Sequence, residues 1–102
     1  MAITACVICF NEELNIDRCL SGLDWCEEIV VVDSGSTDRT LEIAARHTDR
    51  IYTQPWLGYG PQKEYAWSKV STDWVFWVDA DEVVTPELRD EIQSRFTKKD
   101  LP

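Results

Sequence analysis

A chain of 102 residues has the length of one domain, able to bury roughly 60 to 70% of its unfolded surface but small for an enzyme. Its 19 acidic and 10 basic residues leave a net charge of −9, which argues against nucleic acid or an anionic membrane as the main partner; an anionic ligand would need a metal or local donors. The start Met1-Ala2-Ile3-Thr4-Ala5 lacks the basic residues of a signal peptide, no apolar run approaches the roughly 20 residues of a membrane span, and the expected compartment is the cytoplasm.

Four strand-helix units follow in chain order. Ile3 to Phe10 is a continuous apolar and small run without polar alternation, as expected of a strand covered on both faces. Asn11-Glu12-Glu13 is expected to open a helix whose apolar positions Leu14, Cys19 and Leu20 share a face. Glu28 to Val32 predicts the second strand, ending at Asp33-Ser34-Gly35-Ser36-Thr37-Asp38, with Asp38 as the N-cap of a helix carrying Leu41, Ala44, Ala45 and Thr48 at helical spacing. A third strand fits Arg50 to Gln54. The Gly and Pro content of Pro55 to Pro61 predicts a loop, after which Gln62 to Lys69 reads as helical. Trp74 to Val78 is the fourth strand, and Thr85-Pro86 predicts an N-cap followed by Pro at the first helical position, with Leu88, Ile92 and Phe96 on one face. Thr97 to Pro102 is the one candidate linker.

Strands alternating with helices through short connections predict an α/β domain: a Rossmann-like, open, mostly parallel sheet with right-handed crossovers and helices on both faces. Cys6 and Cys9 then face opposite sides of the first strand, and Cys19 and Cys26 have no tight pairing partner or flanking histidine, so the four thiols read as small core residues. His47, the one histidine, reads as a residue near a helix C-terminus.

A parallel sheet gathers its strand ends on one edge, where open α/β sheets bind ligands. Phe10 to Glu13, Asp33 to Asp38, the loop leading to Lys63, and Asp79 to Glu82 become neighbours there. An aromatic such as Phe10 can stack on a base, a carboxylate such as Asp33 can accept from a base N–H or a ribose hydroxyl, and Lys63 can meet a base or phosphate. Trp56, Tyr65 and Trp67 either line a pocket or pack into the core. Asp79, Asp81 and Glu82 place three carboxylates within four residues. Residues i and i+2 of an extended chain point the same way, roughly 6 to 7 Å apart, so Asp79 and Asp81 are expected to converge on one object; oxygen donors suit Mg²⁺, Mn²⁺ or Ca²⁺. The same cluster also fits a solvated turn before the next helix.

Ile8-Cys9-Phe10-Asn11-Glu12-Glu13, Val31-Val32-Asp33-Ser34-Gly35-Ser36-Thr37-Asp38 and Asp79-Ala80-Asp81-Glu82, in this order, resemble family 2 of the inverting, GT-A-type glycosyltransferases over nearly the whole chain. Trp56-Leu57-Gly58-Tyr59-Gly60-Pro61-Gln62-Lys63 and Asp81-Glu82 also resemble the bacterial branch that adds sugars to lipopolysaccharide cores. The resemblance implies a nucleotide-diphospho-sugar as ligand and Mg²⁺ or Mn²⁺ as cofactor. It implies that Phe10 and Asp33 contact the base, that Asn11 and Glu12 belong to the same nucleotide-binding segment, and that Lys63 lies near the base. Asp79 would approach the ribose, and Asp81, with Asp79 beside it, would hold the metal on the diphosphate. Ser34 stands where many relatives have a second Asp, and Glu64 where an Asn is common, which weakens the case for base contacts from that helix.

An inverting transfer also needs a general base to deprotonate the acceptor hydroxyl. In the family that residue belongs to an acceptor-binding half well beyond the DxD, whereas only 23 residues follow Asp79 here. Residues 1–102 are therefore expected to be a single nucleotide-sugar-binding domain, cut off before the acceptor half, that transfers little or no sugar alone. The expected acceptor is a cell-envelope glycan or a lipid-linked one, placing the protein in the cytoplasm or at the inner face of the membrane. A sheet cut short leaves an uncovered edge or apolar face, for which homodimerisation is the expected remedy. Two other readings compete. One is a non-catalytic α/β domain whose acidic end binds a metal or a partner. The other is a haloacid-dehalogenase-type phosphatase, whose D-x-D-x-[TV] pattern Asp79 to Val83 matches, although its later motifs have no chain left to carry them.

Overall fold

The computed structural model describes residues 2–97. The side chain of Phe96 and the expected linker beyond residue 97 lie outside the described residues. The elements run β1 (Ile3–Cys9), α1 (Ile16–Ser21), β2 (Glu28–Asp33), α2 (Thr40–Ala44), β3 (Ile51–Thr53), α3 (Tyr59–Trp67), β4 (Trp74–Asp79) and α4 (Pro86–Thr97). The four strands form one sheet in the order β3-β2-β1-β4, and all three pairings are parallel. The register sets Cys9 beside Asp33, Asp33 beside Thr53, and Ile8 beside Asp79, so the carboxyl ends of the strands finish nearly level.

Central β1 has neighbours on both sides and helices over both faces, which is why its sequence is apolar without alternation. Val7 and Cys9 of β1 join Val31 of β2, Ile16 and Leu20 of α1 and Ile43 of α2 in one buried cluster. Cys6 joins Val30 and Val32 of β2 and Ala66 of α3 in the other. Cys6 and Cys9 thus fall on opposite faces, as their spacing requires, and all four cysteines are free thiols. Burial pushes the Cys6 thiol up to about 11 and the Cys19 thiol up to about 12.

The helices depart from the sequence expectation in ways that shape the site. The first helix starts at Ile16 rather than in Asn11-Glu12-Glu13. Those three residues give their backbone N–H groups to the Ser36 hydroxyl, the Thr40 hydroxyl and the Asp38 carboxylate instead, and Asn11 takes a left-handed conformation with φ of 52°. Leu14, expected on the buried face, is 90% exposed. On α2 the buried positions are Thr40, Ile43 and Ala44, while Ala45 is exposed. Helix α3 begins at Tyr59, inside the expected loop. His47 lies past the end of α2 and ties it to α1, with Nε2 2.8 Å from Asp17 Oδ1.

Although its run from Trp74 to Val78 is wholly apolar, β4 is an edge strand: Val78 is buried, and Trp74 is 36% exposed. At α4 the Thr85 hydroxyl accepts from the Leu88 N–H at 3.1 Å, the N-cap bond the sequence predicts. The apolar face expected behind it is only partly covered, since Leu88 is 41% exposed and Ile92 is half-buried.

Candidate functional site

After β1 and β2 the chain passes over one face of the sheet, through α1 and α2; after β3 it crosses to the other face through α3 and returns as β4 on the far side of β1. The connections diverge at the carboxyl ends of β1 and β4, and such a divergence opens a crevice that loops cannot close. A pocket of about 180 Å³ lies there, lined by Ile8, Cys9 and Phe10 from β1, Ser34 after β2, Trp56, Tyr59 and Lys63 around α3, and Asp79 of β4. Of the residues expected to act together, Phe10, Lys63 and Asp79 do share this pocket. Phe10 is 54% exposed, so it is not a core residue. The Lys63 ammonium stands 5.5 Å from the centre of the Trp77 ring, an attraction that holds it beside the strand ends.

Asp33, Asn11 and Glu12 are placed differently. Asp33 is fully buried and accepts from the Gly35 N–H at 2.9 Å and the Ser36 N–H at 2.7 Å. It also accepts from the Ser36 hydroxyl and, at 3.5 Å, from the Cys9 thiol. Its carboxylate therefore organises the turn after β2, with Gly35 supplying the φ of 106° the turn requires. Asn11 accepts the Thr37 N–H at 2.8 Å through Oδ1, and Glu12 accepts the Asn15 side-chain amide at 3.1 Å. Asp38, expected as the N-cap of α2, lies one residue before the cap position, Arg39. It receives the Thr40 N–H and hydroxyl as well as the Glu13 N–H; partial desolvation opposes the charge, but these bonds hold its carboxyl below the usual range. The loops after β1 and β2 are thus clasped into one rigid rim.

The acidic cluster divides. The extended chain ends at Asp79, and the buried Ala80, 3% exposed, separates two exposed carboxylates, Asp79 and Asp81, before the Glu82 N–H closes a turn on the Asp79 carbonyl at 2.9 Å. Glu82 folds back, its carboxylate accepting the Asp79 N–H at 2.8 Å. Asp79 and Asp81 are exposed, and neither side chain makes a hydrogen bond or ion pair among the described residues. No group of three or more His, Cys, Asp or Glu side chains that could hold a metal ion alone is found among the described residues. Two unengaged carboxylates nevertheless suit Mg²⁺ or Mn²⁺, which commonly take one or two carboxylates and complete their octahedron with substrate phosphates and water.

Two features of the rim were not foreseen. Gln62, fully buried, accepts the Leu57 N–H at 3.1 Å and donates to the Gln54 carbonyl at 2.9 Å, fixing the loop before α3. Its helical period with Ala66 was the available signal. Tyr59 stands 4.9 Å from Trp56, centre to centre and edge to face, while Tyr65 packs on Tyr52 and Trp67 stays outside the pocket. A larger cavity of about 430 Å³ lies near the amino ends of β2 and β3, with Asp24, Glu27, Glu28 and Asp49 in its wall beside His47 and Arg50, which are paired with Asp17 and Glu28. Its acidic wall and distance from the converging loops make it a poor seat for an anion.

The family model described as Glycosyl transferase family 2 matches residues 4–100. The chain is 40% identical over 95 residues to the lipopolysaccharide core biosynthesis glycosyltransferase LpsC of Rhizobium meliloti (strain 1021), a match covering 88% of this chain and 35% of that protein. It is 41% identical over 95 residues to an uncharacterized glycosyltransferase of Rickettsia conorii, covering 92% and 34%. The chain therefore spans about a third of the length of these curated relatives. Among solved structures it is similar to S. aureus TarS 1-349 in complex with UDP, at 25% identity and a TM-score of 0.73, over 92% of this chain and 31% of that one. It is also similar to glucosyl-3-phosphoglycerate synthase from Mycobacterium tuberculosis in complex with Mn²⁺, UDP and glucosyl-3-phosphoglycerate, at 25% identity and a TM-score of 0.68, over 78% and 33%.

Proposed function

This chain belongs to glycosyl transferase family 2, and from that premise we propose that its strand-end crevice is the donor site of an inverting glycosyltransferase, binding a nucleotide-diphospho-sugar through Mg²⁺ or Mn²⁺. The observation that carries the reading is the convergence of Phe10, Lys63 and Asp79 on one pocket from three separate elements. Phe10 offers a stacking face to the base, Lys63 a donor to a base carbonyl or a phosphate, and Asp79 an acceptor for ribose hydroxyls. Asp79 and Asp81 would hold the cation. When bound, that cation offsets the repulsion between a diphosphate and a chain of net charge −9 and stabilises the diphosphate as a leaving group. Asp33, Asn11 and Glu12 contribute by fixing the rim against which the nucleotide lies.

The one carboxylate that lines the pocket among the described residues, Asp79, is assigned to the donor. We assign the general base to an acceptor-binding part outside residues 1–102, and these residues to a single donor-binding domain. The likeness to a protein named for lipopolysaccharide core biosynthesis supports a cell-envelope glycan or a lipid-linked acceptor. None of the helices described is long and apolar enough to cross a membrane, and a membrane-bound acceptor would be met from the cytoplasmic side.

Titration calorimetry with UDP and GDP, with and without Mn²⁺, tests the reading on the wild type and on Asp81→Ala. Binding that requires Mn²⁺ and weakens at least tenfold in the variant is expected. A folded protein that binds no nucleotide at millimolar concentration would sink the donor-site reading and leave a non-catalytic α/β domain in its place.

A further inference from the structure

Apolar side chains held firmly in water need a reason. Trp56 is 49% and Tyr59 78% exposed, yet they meet edge to face at 4.9 Å in a loop that is built, not loose. Gln62, with no exposed surface, ties that loop at two backbone points, and Gly58 adopts a φ of 103° just before Tyr59. A buried amide and a left-handed glycine thus pre-organise two exposed aromatics. Both line the pocket that contains Phe10, itself 54% exposed, while Asp79 lines the same pocket from β4.

We infer that Trp56 and Tyr59 form an aromatic wall that stacks against the base of a nucleoside diphosphate, sharing with Phe10 the recognition of its flat faces. The inference rests on the donor-site reading above and adds residues to it. Electrostatics orients the ligand. A diphosphate is tolerated beside Asp79 and Asp81 only with a cation between them, which fixes the anionic end at β4. The uncharged heterocycle is left for the aromatic end around α3, where Lys63 and the Ser34 hydroxyl supply polar contacts at its edge. Aromatic faces do not distinguish one base from another, because every base presents a π-face. The wall therefore sets how tightly a base is held, and the choice among bases falls to Lys63 and Ser34.

Calorimetry of the 102-residue chain with Mn²⁺ tests this with UDP and GDP as base-bearing probes and inorganic pyrophosphate as the base-free one. Because both side chains are exposed, Trp56→Ala and Tyr59→Ala should fold normally, as circular dichroism will verify. Each variant should weaken the better-bound nucleotide roughly tenfold, leave pyrophosphate affinity unchanged, and leave the UDP to GDP preference as in the wild type; Trp56→Phe should recover most of the loss. Unchanged nucleotide affinity in both alanine variants overturns the wall alone, with the donor site intact. A parallel loss of pyrophosphate affinity also overturns it, by showing that the loop acts on the metal end. A wild type that binds neither nucleotide removes the donor site and the wall together.

Discussion

Asp33 illustrates how one buried side chain can hold a turn together from beneath. Four donors point at its carboxylate, and none of its surface is exposed. Replacing it by Ala leaves two backbone N–H groups and a hydroxyl without their acceptor, a loss of about 2 to 4 kcal/mol. Chemical denaturation of Asp33→Ala should register that loss as a lower midpoint at unchanged slope. A variant as stable as the wild type would mean the turn does not depend on the carboxylate. Phe10 and Lys63 are the opposite case, exposed side chains at the pocket, so their substitution should spare the fold.

At the level of elements, close approach decides what the sequence tolerates. Helix α1 ends at Gly22, and a Cβ there would stand 3.0 Å from the Val84 carbonyl oxygen, a backbone atom that cannot swing aside. Val84 lies between the acidic turn and α4, so this contact seats the segment that follows Asp81 against α1. Gly22→Ala should cost about 1 to 3 kcal/mol and should also weaken Mn²⁺-dependent nucleotide binding by displacing that segment. Thermal melts alongside calorimetry will measure both; a stable variant with unaltered binding would contradict the packing argument. The clasp between the loops after β1 and β2 follows the same logic, because backbone N–H groups that the sequence pattern assigns to a helix serve a neighbouring loop instead.

Across the whole molecule, a second polar knot closes the sheet at the end remote from the pocket. Glu28 of β2 accepts from the Thr4 hydroxyl of β1 at 2.8 Å, from the Ser71 hydroxyl before β4 at 2.7 Å and from Arg50 before β3 at 2.8 Å. The Ser71 bond first, then Thr4 and the Arg50 charge, hold its carboxyl below the usual glutamate range despite the opposing effect of burial. A carboxyl lowered in the folded state contributes stability that is present above its unfolded value, about 4.3, and is lost as the pH falls through the folded value. Glu28→Gln should therefore be less stable than the wild type at pH 7, with the gap narrowing below about pH 4 as the wild type loses the same charge. A gap independent of pH would assign the effect to packing.

The alternation of apolar runs and helical periods determined the class of fold by itself, because a strand buried on both faces and a crossover helix each leave a period that solvent and neighbours impose directly. It also placed Phe10, Lys63 and Asp79 on one edge, since parallel strands must end together. The partition among these residues came only from the tertiary structure. Whether Asp33 faces solvent depends on donors in Gly35, Ser36 and Cys9 that converge only when the turn closes, and whether Asp81 aligns with Asp79 depends on where β4 stops. Trp56 and Tyr59 carry no periodic signal that separates a wall from a core. Their exposure is decided by a Gln62 side chain that bonds to Leu57 and Gln54 across a loop, and contacts of that kind have no period to read.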